Sequence, residues 1–137
     1  MTVAFDALFE HSPNAYMVLD RELRYVEANR AYLLLTGMTR EQLLGHGLFE
    51  LFPGRANDDG SNQADVLRAS LERAFASGER DTLALIPYAI EAQTPDGPVV
   101  DLRYWSATHT PLRDDTGKVV AVLQHTTDVT EMERLRE

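Results

Sequence analysis

Four histidines, a lone glutamine among β-branched residues near the C-terminus and an alternating row of Tyr, Ser and Thr have chemistry to offer, and there is no cysteine. His11, His46, His109 and His125 lack the spacing at which a helix presents two imidazoles to one zinc ion. Without cysteine there is no thiolate nucleophile, no disulfide framework and no iron–sulfur site. No nucleophile and base pair stands out, and no glycine-rich loop has the form that cradles a nucleotide, so this segment is not expected to be an enzyme. What remains is recognition. Polar side chains aimed into an apolar interior must each find a partner, whether another side chain, a trapped water or a ligand.

The elements that would aim them can be read from periodicity. The stretch VVDLRYWSATHTPLRDDTGKVVAVLQHTTDVTE alternates over its first half, turns at RDDTG and continues as a β-branched strand from Lys118 to about Asp128. By that alternation Val100, Leu102, Tyr104, Ser106, Thr108, Thr110 and Leu112 share one face, read as the inward one, with Val122, Gln124 and Thr126 of the next strand. Asp101, Arg103, Trp105, Ala107 and His109 take the other face. His109 and His125 are accordingly expected to be solvated or at an interface, and His46, between two glycines, to be structural.

Upstream, Phe5, Leu8 and Phe9 sit at helical spacing in a short amphipathic segment over residues 1–12, ended by Ser12 and Pro13. Ala15 to Asp20 and Arg24 to Ala28 read as two short strands. Asn29 can cap a helix that Gly37 closes, and Thr39 with Gln42 has capping-box spacing for a second short helix. LFELF reads as a single buried turn broken by Pro53, and Gly54 to Gln63 as a polar loop. The longest helix runs from about Ala64 to Ser77, and Arg80 to Ala92 is the third strand. Two strands, a run of helices and three strands make an α+β domain: a five-stranded antiparallel sheet with its helices on one face.

A cavity between sheet and long helix would be lined by Tyr16, Val18, Tyr32, Phe52, Phe75, Ile86 and Tyr88, with Asn29, Tyr104, Ser106, Gln124 and Thr126 as its polar groups. A core filled by satisfied polar pairs is the competing reading. On the opposite sheet face, Trp105 beside Arg103 would mark a contact surface, covered by Phe5, Leu8 and Phe9 of the same chain or of a second copy.

Length and charge bound the answer. A chain of 137 residues fits one domain, and 44% apolar with 26% charged residues is an ordinary globular composition. A net charge of -9 with no basic run argues against DNA or RNA as a partner. No apolar run is long enough to cross a bilayer, so direct membrane contact is not expected, and a cytoplasmic setting is, even if a parent protein carries membrane segments.

The blocks FDALFEHSPNAYMVLD and RYVEANRAYLLLTGMTREQLLGHGLFELFP, with the closing DVTE, resemble a PAS domain over nearly the whole chain. GLFELFPG, NDDGSNQADVLRASLERAF and RYWSATHTPL are more specifically similar to PAS domains of bacterial sensor histidine kinases. The resemblance implies one PAS domain over residues 1–128, a signalling helix starting in 129–137 with Asp128 and Thr130 at the exit, a homodimer, and an output kinase domain in the same parent chain. It also implies a cavity between sheet and long helix. Haem-binding relatives use a histidine on or near that helix; Ala64 to Ser77 has none, which leaves His46 as the remaining ligand. Flavin-binding relatives use a cysteine this chain lacks, although Gln124 falls on the strand where they hold a flavin-sensing glutamine. No cofactor is required. The expected role is to sense a small molecule or mediate dimerisation, with a ligand-free dimerisation scaffold and a haem or flavin sensor as alternatives.

Overall fold

The computed structural model describes residues 1–136; Glu137, the last residue of the expected signalling helix, lies outside the described residues. The elements are α1 (Phe5–Glu10), β1 (Ala15–Asp20), β2 (Tyr25–Ala28), α2 (Arg30–Thr36), α3 (Arg40–Leu43), α4 (Leu48–Leu51), α5 (Ala64–Ser77), β3 (Asp81–Thr94), β4 (Gly97–Arg113), β5 (Val119–Asp128) and α6 (Thr130–Leu135). The strands form one antiparallel five-stranded sheet in the order β2-β1-β5-β4-β3. The α+β arrangement read from the sequence is therefore the observed one. Among the described residues, no helix is long and apolar enough to cross a membrane.

Local chemistry sets the boundaries. The Asn29 side chain accepts from the Tyr32 amide to start α2, Gly37 ends it in the left-handed region, and Thr39 and Gln42 close the reciprocal capping box on α3. Pro87 lies in β3, at the sheet edge, where a missing N–H costs least.

The core sits between the sheet and α2–α5. Met17 and Leu19 of β1, Val122 of β5, Leu43 of α3 and Leu71 and Ala74 of α5 are fully buried there. Facing them, Ala107 is buried and Trp105 packs against the same cluster. This reverses the face expected for β4. A symmetric hairpin closed at Asp114 and Lys118 would set Gln124 opposite Thr108, but a bulge between Leu112 and Arg113 shifts the register by one and sets it opposite His109. A one-residue shift exchanges the two faces of a strand. Tyr104, Ser106 and Thr108 consequently lie on the outer face, while Trp105, Ala107 and His109 point inward.

Candidate functional site

Between α2, α4, α5 and the sheet lies a partly open cavity of about 70 Å³. Six of the residues expected there do line it, namely Tyr32, Phe52, Ile86, Tyr88, Gln124 and Thr126, joined by Leu35, Thr36, Leu48, Leu67, Ile90, Trp105 and Ala107. A volume well above the ~10–15 Å³ one water needs, yet well below the roughly 300–1,000 Å³ of drug-sized pockets, suits a compact molecule of few heavy atoms.

The other expected cavity residues are elsewhere, each for a physical reason. β1 is apolar at nearly every position, so alternation gave no phase; Met17 and Leu19 take the core, and Tyr16 and Val18 face outward. Tyr16 there stacks on Phe9 at 6.3 Å and leans on His125 at 5.2 Å. Tyr104 and Ser106 follow the reversed face of β4. Phe75 sits near the C-terminal end of α5 beneath the Arg21 guanidinium, 5.4 Å from its ring centre. Asn29 is fully buried but spent: its Oδ1 accepts from the amides of Tyr16 and Tyr32, and its Nδ2 donates to the carbonyls of Phe9 and Asn14.

The residues expected to mark an outer contact surface also divide. Trp105 turns into the cavity, and its indole Nε1 donates weakly to the Tyr88 carbonyl at 3.4 Å. Arg103 is held between Asp101 and Asp128, with Nε donating at 2.8 Å and Nη1 at 2.9 Å. Phe5 and Leu8 are 86% and 55% exposed on α1, whereas Phe9 packs on Tyr16.

His109, expected at the surface, is fully buried and joins a polar line running from the surface to the cavity. Arg73 donates to both Asp81 oxygens at 3.0 and 2.9 Å, and the Ser70 hydroxyl donates to Asp81 at 2.5 Å. Ser70 Oγ lies 2.7 Å from His109 Nδ1, and His109 Nε2 lies 3.0 Å from Gln124 Nε2. Hydrogen bonds from Arg73 and then Ser70 hold the Asp81 carboxyl below its ordinary value, and burial pushes the His109 imidazole down to about 4. The imidazole is thus neutral, and a neutral ring has one donor and one acceptor. Burial likewise raises Tyr25 and Tyr32, whose hydroxyls meet at 2.6 Å, and pushes Tyr88 up to about 12, so all three phenols stay protonated. His46 is exposed beside Glu50 at 3.1 Å, and no group of three or more metal-ligating side chains comes together among the described residues.

The way out of the sheet is a second polar knot. Thr130, 2% exposed, accepts from the Tyr104 amide at 2.9 Å and donates its hydroxyl to Asp128 at 2.5 Å. The same Asp128 oxygen accepts the Thr130 amide at 2.9 Å, while the Val129 amide donates to the Tyr104 carbonyl at 2.8 Å. The start of α6 is thereby fastened to β4, with Tyr104 adjacent to cavity-lining Trp105 and Asp128 two residues after cavity-lining Thr126. Burial works to raise the Asp128 pKa, but the hydrogen bonds from Thr130 and the Arg103 guanidinium outweigh it and the carboxyl ends below its ordinary value.

Sequence reasoning missed Trp105 and Ala107 because both faces of β4 carry mixed polarity. The bulge at Leu112 and Arg113, which decides the phase, has no mark in the sequence. Leu35 and Thr36 fall in the helix read between Asn29 and Gly37, and Leu48 in the buried turn LFELF, with no sequence signal that marks them as cavity lining.

Comparison with known proteins completes the description of the site. The family described as PAS fold matches residues 9–134. Among solved structures, a PAS domain from Colwellia psychrerythraea superposes with a TM-score of 0.69 at 17% identity, covering 93% of this chain and 95% of that one. A sensory box sensor histidine kinase from Vibrio cholerae gives 0.59 at 19% identity, covering 92% and 88%. The Vibrio cholerae VqmA–ligand–DNA complex gives 0.66 at 26% identity, covering 95% of this chain and 52% of that one, so the chain spans about half of that protein. A search of the curated proteins finds no match to the chain.

Proposed function

The chain belongs to the PAS fold family, and from that premise we propose that it is the sensory module of a bacterial signalling protein. It binds a compact, largely apolar small molecule between sheet and helices and passes the event through β5 into α6. One observation carries this reading. The cavity-lining Trp105 and Thr126 lie within two residues of Tyr104 and Asp128, the groups that fasten α6 to the sheet. A ligand that separates β4 from β5, or shifts Trp105, has differential contact with two arrangements of that knot, which is the energy a switch requires.

The parent is read as a histidine kinase, supported by the sensory box neighbour. The VqmA neighbour was seen with a ligand and with DNA. The ligand precedent fits the cavity, whereas a net charge of -9 does not favour a phosphate backbone. A homodimer accompanies the reading, since Phe5 and Leu8 stand exposed on α1. A ligand-free dimerisation scaffold is the second reading, and the same exposed pair favours it. Among the described residues no histidine lines the cavity, and His109, bonded to cavity-lining Gln124, is already engaged on both nitrogens, which does not favour haem.

Native mass spectrometry of the purified domain tests the proposal. A mass excess that vanishes on denaturation supports a ligand-binding module; a dimer of bare chains, unchanged by small-molecule screening, supports the scaffold.

A further inference from the structure

The polar line from Arg73 to Gln124 has a direction, and that direction reaches the cavity. A carboxylate can only accept, so the single hydroxyl hydrogen of Ser70 goes to Asp81. The Ser70 oxygen then has only lone pairs for His109, which places the imidazole hydrogen on Nδ1. His109 Nε2 is left as an acceptor, and Gln124 meets it with its amide nitrogen at 3.0 Å. The glutamine cannot turn over without setting its carbonyl oxygen against the Nε2 lone pair. Gln124 is 5% exposed and lines the cavity, and among the described residues its side chain bonds only through Nε2, to His109, so Oε1 has no hydrogen-bond partner there.

The other polar groups around the cavity have spent their hydrogens in the same sense. Thr36 donates to the Tyr32 carbonyl at 2.9 Å and Thr126 to the Ser106 carbonyl at 3.3 Å. Tyr88 donates to the Phe52 carbonyl at 2.5 Å, and Trp105 is turned toward the Tyr88 carbonyl. The cavity-lining oxygens of Gln124, Thr36, Thr126 and Tyr88 are therefore left with lone pairs to offer. The donor hydrogens left over are the second one on the Gln124 amide and one shared by the Tyr25–Tyr32 hydroxyl pair.

We propose that the cavity selects compact apolar molecules carrying an N–H or O–H donor, read by Gln124 Oε1, whose orientation is fixed from the surface by the Arg73–Asp81–Ser70–His109 line. This rests on the ligand-binding reading above and names the chemistry it would take. No fully buried side-chain polar atom among the described residues lacks a partner, so Gln124 Oε1 still opens onto the cavity space; a ligand that covers it without offering a hydrogen leaves it unpaired, which costs more than the one bond forgone.

Pyrrole and furan test it, being nearly identical in shape but differing in one N–H. Binding to the wild-type domain is followed through the Gln124 side-chain amide and the Trp105 indole N–H by two-dimensional NMR. Pyrrole is expected to bind about tenfold more tightly than furan, and Gln124→Met to erase that ratio, pyrrole losing its acceptor and furan no longer covering an unpaired one. Equal affinities, or tighter furan binding, overturn the donor rule and leave the cavity reading standing. A preference that survives Gln124→Met overturns the assignment to Gln124. Binding of neither probe overturns the cavity reading and the inference with it. The wild-type comparison requires no variant to fold.

Discussion

His109 and Gln124 stand directly opposite each other on β4 and β5, and their Nε2 atoms lie 3.0 Å apart inside the domain. The pair joins the two strands that also carry the start of α6, and it is neutral only while the imidazole holds a single hydrogen. That condition gives the domain a pH dependence of known sign.

Burial, opposed by Asp81 and reinforced by Arg73, pushes the His109 imidazole from 6.5 to about 4 in the fold. Between those values the unfolded chain binds a proton that the folded chain refuses. Stability from this group is complete above about pH 6.5 and is lost as the pH falls toward 4. The difference amounts to roughly 3 kcal/mol. Urea unfolding at several pH values should show this limb, and His109→Gln should flatten it. The remaining acid loss, below the ordinary carboxylate value of 3.8, belongs to lowered carboxyls such as Asp81 and Asp128.

Thr130→Val keeps the shape of a fully packed side chain and removes its hydroxyl, leaving the Tyr104 amide without its acceptor and Asp128 Oδ1 with the residue 130 amide alone. A loss of about 1–3 kcal/mol is expected. It should appear first as faster amide exchange across α6, with the sheet amides of β1 and β5 little changed. Equal loosening of the whole domain would show that Thr130 is ordinary core and not a fastening point.

Ala107 lines the cavity and is 2% exposed. Ala107→Val adds two methyl groups to that space on a strand that suits β-branched residues. Filling it should raise stability by about 1 kcal/mol and abolish pyrrole binding. Retained binding with raised stability would place the ligand somewhere else.

Asn29→Ala removes four hydrogen bonds, the α2 cap among them, that tie α1, β1 and α2 together. A loss on the order of 3 kcal/mol is expected in urea unfolding, because the amides and carbonyls left behind are part-buried. Pyrrole affinity of the folded fraction should not change, since Asn29 does not line the cavity.

How far the sequence could be read follows from these same residues. Element order was legible because caps and breakers are local: Asn29, Gly37, Thr39 with Gln42, and Gly78 all act within a turn or two of their own position. Face assignment is not local. For β1 an unbroken apolar run hid the phase, which put Tyr16 and Val18 inside when Met17 and Leu19 belong there. For β4 the phase depended on a bulge fixed by hairpin closure at Asp114 and Lys118. The same bulge hid His109, whose burial is tolerable only because Ser70, 39 residues earlier, and Gln124, 15 residues later, arrive to satisfy both its nitrogens. No sequence window spans that distance. The glutamine could be placed inward because β5 alternates cleanly around Val122, Gln124 and Thr126.

The proposed role stands or falls on whether cavity occupancy is felt at α6. Amide hydrogen exchange at Tyr104, Val129 and Thr130, in the domain with and without saturating pyrrole, measures this directly, since those amides make the bonds that fasten the helix. A severalfold change in exchange at all three, in step with occupancy, is the expected result. Pyrrole bound in the cavity with those three amides unmoved would contradict a sensory module and leave a binding site with no outlet.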